Sequence, residues 1–418
     1  MAVLAFGVAF IVLLLATQYI DIPQYRPAAV VAFLSHVFVT FVVLPRLPYK
    51  WDIPQFHQTA SEIVAGTFSS GSPTVSSFGG FQALVYTVFS SQPETIAVFN
   101  SLFAVLTIIP ISYLAYHLYP SRTESHLGLM LIVLFAPLQF LFLTVPMRDA
   151  LSVLLFFTIL SLILSALRPQ QLKSVLVAIP LWGMLYQVRP ELSFVLVLGT
   201  IASAIVKVVR TISDDLSLTS LVAVFGTVGA IGFGLFAELL YSFERSNAQM
   251  TGRSSGGAVY LDGMEYTSWF DFLLAAPARA LYFQFAPFPL HVESVFHILG
   301  FSVSVALIVL FVAAGRSLYE CSPDETTALF LIVVYIAGIV GYGTINSNFG
   351  TNVRHRIVFD FLLVVFALPV IQQWELLIRE WLGIIPRQCD DRDKKHRKTQ
   401  EFDRSLHTRT QDSEETSQ

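Results

Sequence analysis

Asn346-Ser347-Asn348-Phe349-Gly350-Thr351-Asn352-Val353-Arg354-His355-Arg356 lies between two apolar runs, 328–345 and 357–371. Two arginines and a histidine therefore stand where a membrane helix should begin. A charge at the bilayer centre costs about 2.5–3.5 kcal/mol on insertion scales and less near the interface. Such a cluster persists either as an interfacial anchor, with arginines reaching lipid headgroups, or because an anion binds it. Gly350 would let the backbone turn tightly, and the asparagines with Thr351 can satisfy exposed backbone groups. Residues two apart on a helix point in different directions, so Arg354 and Arg356 can share one ligand only where the backbone is irregular.

Composition sets the surroundings of that turn. The chain has 418 residues, of which 55 % are hydrophobic and only 13 % charged, with a mean hydropathy of +0.66. These values fit a polytopic helical membrane protein and not a soluble enzyme. Apolar spans of about 20 residues fall near 2–20, 27–45, 95–118, 127–146, 149–167, 173–188, 192–209, 216–241, 294–314, 326–345 and 357–380. The expected fold is therefore all-α, with about eleven transmembrane helices. Residues 2–20 lack a basic leader and a small-residue cleavage site, so they are expected to be a retained span. Two shorter apolar stretches, 78–90 and 268–290, carry Gly and Pro and look interfacial or re-entrant.

From Pro386 the composition changes. Arg387, Arg392, Lys394, Lys395, Arg397 and Lys398 form a basic run followed by a polar, acidic end. The division is a transmembrane helical domain over 1–385 and a disordered cytoplasmic tail over 386–418. Counting spans back from that tail puts Arg148, Arg189, Arg279, Arg354 and Arg356 on the opposite face. The same face carries the two long segments between spans, 46–94 and 242–293. Arginine suits bidentate phosphate contact better than lysine does.

Four polar groups converge on this outer face: Asp52, Arg148-Asp149, Arg189-Pro190-Glu191 and the 354–356 turn. Arginine can neutralise a phosphate leaving group, and a carboxylate can deprotonate an acceptor hydroxyl. Each group also has a local alternative. Asp52 suits the N-cap of a helix beginning near Pro54, Arg148 can pair with Asp149 at a helix start, and Arg189 can pair with Glu191. The aromatic run 282–289 suits an interfacial belt or a sugar platform. Cys321 and Cys389 make neither a disulfide framework nor a metal site. No Walker loop, zinc spacing or dinucleotide fingerprint is present, and nothing points to nucleic acid.

Trp51-Asp52 in an early outer loop, Pro146-Met147-Arg148-Asp149 and Arg189-Pro190-Glu191 together resemble the GT-C class of glycosyltransferases, which includes protein O-mannosyltransferases. Asn348 to Arg356, with Pro287-Phe288-Pro289 upstream, is also similar to multi-pass proteins of exopolysaccharide and O-antigen assembly. The resemblance spans roughly residues 46–370. It implies a cell-membrane enzyme taking a sugar from a polyprenyl-(di)phosphate-linked donor on the extracytoplasmic face, for a glycan or lipid-linked acceptor. In that reading Asp52 is the base, Arg148, Arg189, Arg354, His355 and Arg356 bind phosphate, and Asp149, Glu191, Asn348 and Gly350 support them. The acidic loop follows the second span rather than the first. It also lacks a paired Asp-Asp, Asp-Glu or Asp-x-Asp, so no cofactor is assigned and a divalent cation is only weakly supported. A glycan polymerase shares these features. A non-catalytic lipid-linked glycan flippase would need access from both faces, whereas the inner connections are short and poor in polar clusters.

Overall fold

Proline opens most of the helices that carry the site. Pro54, Pro73, Pro93, Pro137 and Pro190 each occupy the first or second position of a helix, where a missing N–H costs nothing and the fixed φ is already helical. The computed structural model describes residues 2–20, 22–47, 52–122, 126–166, 173–212, 220, 242–253, 258–261 and 263–384. The expected span at 216–241, apart from Ser220, and the basic tail lie outside the described residues.

The described residues are all-helical, with a single isolated bridge between Val259 and Asn348. Five helices are long and apolar enough to cross a bilayer: Tyr25–Arg46, Pro93–Leu118, Asp149–Ala166, His297–Glu320 and Glu325–Gly343. Counting each of two bent helix pairs as one span raises the number to seven. Val3–Gln18, Lys173–Val188 and Pro190–Ile205 are apolar but shorter. Along His297–Glu320 only 33 % of the apolar window is buried, and Ile298, Val305, Ile308 and Val312 are exposed. So continuous an apolar face needs a hydrocarbon surround. Helix length and composition thus describe a membrane-embedded protein.

Two spans expected to be continuous, 127–146 and 357–380, are bent helix pairs. Ala136 is extended because it precedes Pro137, and the helices Leu127–Phe135 and Pro137–Thr144 meet at 55°. The second bent pair is Ile357–Phe366 with Leu368–Trp381. Pro110 cannot donate to the carbonyl of Leu106, yet Pro93–Leu106 and Ile108–Leu118, which meet at Thr107, remain one span. The described residues of the two long segments, 46–94 and 242–293, are largely helical. Ile53–Ala65 packs on Pro73–Val88 in the first, and Phe243–Arg253 and Trp269–Phe285 occupy the second.

The chain forms two compact units, Met1–Gln372 and Gln373–Gln418. In the first, Ile357–Phe366 is the innermost helix. All ten of its residues are buried, which its apolar character on every face requires. Glu325–Gly343 packs on it through Gly338, where a Cβ would come within 1.9 Å of the Phe359 ring. In the second, the described residues 373–384 are helical as far as Trp381, with Arg379 paired to Glu375.

Candidate functional site

Asn348 is the start of the site. Its side chain accepts from the N–H groups of Gly350 (2.9 Å) and Thr351 (3.2 Å), capping the Phe349–His355 helix. Gly350 is therefore helical, not a tight-turn residue, and the 346–356 stretch is a capped short helix. Its fixed position comes from the outer segment: Tyr260 N–H donates to Ser347 O, and Phe349 N–H to Ala258 O, both at 2.9 Å. Asn352 donates to the Tyr260 hydroxyl at 2.8 Å.

That helix presents Arg354 to two acids. Arg354 Nε donates to Asp149 Oδ2 and its Nη1 to Asp52 Oδ2, each at 2.8 Å. The other oxygen of Asp149 is bonded to Arg189. Asp149 and Arg189 are buried, with side chains 3 % and 4 % exposed, while the Asp52 side chain is 51 % exposed. Asp149 is thus the hub, binding two guanidinium groups from helix junctions 40 and 205 positions away. The turn before it is held by Asn100, which donates to the carbonyls of Val145 (2.6 Å) and Met147 (2.8 Å).

The local pairings expected from sequence do not form. Arg148 turns away from Asp149 and donates to Val188 O at 2.8 Å, with its guanidinium 6.0 Å from the centre of the Phe56 ring. Burial, with Arg189 nearby, pushes Arg148 down to about 10, which still leaves it protonated at neutral pH. Arg189 takes Asp149 rather than Glu191, and Glu191 Oε2 is buried without a hydrogen bond among the described residues. Asp52 stands at the N-cap of Ile53–Ala65 but makes no capping bond.

A cavity of about 570 Å³ opens beside this network. Asp52, Arg148, Asn348, Gly350, Arg354 and His355 contribute to its wall. Leu138, Leu141 and Phe142 supply apolar lining, and Pro287, His297 and Gly300 close it from the other side. His355 packs edge-on to Tyr342, with ring centres 5.3 Å apart. Neither Arg189 nor Arg356 is on the wall.

Known proteins do not extend this picture. Comparison with family models, with curated proteins and with solved structures finds no match to the chain. Function is therefore argued from geometry and chemistry.

The structure separates the two arginines that sequence placed on one ligand. Although the helix breaks at Arg356, the side chains diverge. Arg356 is fully buried and donates to the carbonyls of Gln284 (3.0 Å) and Ala286 (2.6 Å). Those carbonyls end the Trp269–Phe285 helix, where a cation complements the dipole. Asp360, which the sequence reading missed, lies 3.7 Å from Arg356 Nε and accepts from Gln139 (2.7 Å) and Gln284 (2.8 Å). An acid inside an apolar decamer, four residues after an arginine, is the signal that would have found it. Arg279 is likewise buried, donating to the carbonyls of Asn346, Leu261 and Met264 and lying 5.5 Å from the Tyr266 ring. It holds the outer segment against the 346–349 entry. Two of the four aromatics of the 282–289 run pack behind the short helix: Tyr282 stacks on Tyr260, with Phe288 edge-on to it.

Proposed function

We propose that this chain is an integral-membrane glycosyltransferase that takes sugar from a polyprenyl-(di)phosphate carrier in cell-surface glycan synthesis. The carrying observation is that one exposed carboxylate, Asp52, is bonded to Arg354 on the wall of a cavity that Arg148 also lines, in an apolar helical protein. Asp52 takes the proton of an acceptor hydroxyl as that oxygen attacks the sugar's anomeric carbon. The bond to the carrier phosphate breaks, and the phosphate leaves with its electron pair against Arg354 and Arg148. His355 and Asn348 supply hydrogen bonds on the same wall. Asp149 and Arg189 act behind it, fixing Arg354.

The proposal carries a GT-C-like arrangement of about eleven spans, a cell-membrane location, the cavity on the extracytoplasmic face and a cytoplasmic C-terminus. A glycan polymerase would use the same residues with a longer, lipid-linked acceptor. The test is Asp52→Asn, which keeps shape and removes basicity. Glycan product in cells should fall by about 10²–10⁴-fold, the usual cost of losing a general base. A well-expressed Asp52→Asn protein giving normal product would end this assignment.

A further inference from the structure

The arginines of the cluster are already matched. Arg148, Arg189 and Arg354 stand with Asp52, Asp149 and Glu191, so three cations and three carboxylates sum to a formal charge of zero. A phosphate entering the cavity brings one or two negative charges beside the Asp52 carboxylate, and like charges repel. To take Arg354, the phosphate has to replace one of that arginine's two acids, Asp149 or Asp52. Asp149 is 3 % exposed and holds two guanidinium groups, so its departure would strand Arg189. Asp52 is 51 % exposed, has one bond to Arg354 and has no capping duty. Both partners of that bond line the cavity.

We propose that Asp52 is the resident occupant of a phosphate subsite on Arg354, displaced when a phosphate mono- or diester headgroup takes Arg354 Nη1. This deepens the transferase reading and rests on it. While Asp52 is bound to Arg354, its Oδ2 is occupied by the hydrogen bond from Nη1. The incoming donor frees it, so the base is released only when the leaving phosphate is in place. Hydrolysis of the donor by water in the absence of acceptor is not thereby blocked, but the donor cannot meet a free base before it has seated on Arg354.

The experiment is titration of the purified full chain, in dodecyl maltoside, with decyl phosphate. The neutral detergent itself controls for the alkyl chain. Wild type should bind, and Arg354→Gln should lose at least about tenfold in affinity, as charge-assisted bonds to phosphate disappear. Asp52→Asn should bind about three- to fivefold more tightly, the fold-change expected on removing an exposed competing ion pair. Asp52→Ser is the second variant and should tighten likewise. Unchanged or weaker binding in both Asp52 variants, with Arg354 still required, would overturn displacement and leave the phosphate site standing. Binding that does not depend on Arg354 in any variant would overturn the phosphate site and the transferase reading together.

Discussion

Asp149→Asn isolates what the buried hub contributes. The substitution removes one carboxylate shared by Arg189 and Arg354 and places an amide N–H₂ against guanidinium donors. Breaking a buried ion pair costs about 3–5 kcal/mol, because the remaining charge is left uncompensated. Glu191, close enough to act on Arg189, offsets part of this. Asp52→Asn, by contrast, removes the half-exposed partner of the same Arg354, for which about 0–1 kcal/mol is expected. At about 2 °C per kcal/mol for a chain of this length, about 3–5 kcal/mol less the Glu191 offset puts Asp149→Asn about 4–8 °C below wild type. Asp52→Asn should stay within about 2 °C of it. The assay is tryptophan fluorescence of purified protein in dodecyl maltoside during a thermal ramp. Replacing Asp149 and Arg189 together by Leu and Met should recover part of the loss, since a hydrophobic pair can occupy a site that a lone charge cannot. Equal melting of the two single variants would refute the hub.

Gly338→Val puts a Cβ within 1.9 Å of the Phe359 ring position; the helices must separate, and yield of folded protein in detergent should fall well below wild type. Normal yield and melting would show that contact to be slack. For topology, Gly350→Cys and Tyr319→Cys, in a chain with Cys321 and Cys389 replaced, present exposed thiols on either side of the Glu325–Gly343 span. An impermeant maleimide on intact cells should label Gly350→Cys alone; the reverse pattern would turn the proposed orientation, and the face of the cavity, around.

Which residues gather was legible in the sequence; how they pair was not. Asp52, Arg148-Asp149, Arg189 and Arg354 each interrupt an apolar pattern near a span end, and that is sufficient to collect them on one face. Neighbours in sequence were the natural first partners, yet adjacent side chains at a helix start diverge. Asp149 accordingly finds Arg189 and Arg354, 40 and 205 positions away. Arg356 looked equivalent to Arg354, being two residues on, but one turns toward the cavity and the other toward carbonyls that end a different helix. That helix end can be located only once packing is known. Span continuity failed at Pro137, where proline chemistry was present in the sequence and apolar length was given more weight. Arg279, a lone cation among Ala276, Pro277, Ala278 and Ala280, gave a readable sign of burial, since such small neighbours admit close backbone approach.

The wholly buried helix Ile357–Phe366 also constrains how the protein is made. At ten residues it is about 15 Å long, half the hydrocarbon thickness. It carries Asp360, whose hydrogen-bond partners Gln139 and Gln284 both precede it in the chain. The helices it touches, from Ile108–Leu118 through Glu325–Gly343, leave the ribosome first. The membrane therefore has to hold an assembled receptacle before this segment arrives, and its acid is received by protein rather than by lipid. Ile357–Phe366, with Ala367 to Ile371 after it, is thus the part of the core that comes last in chain order.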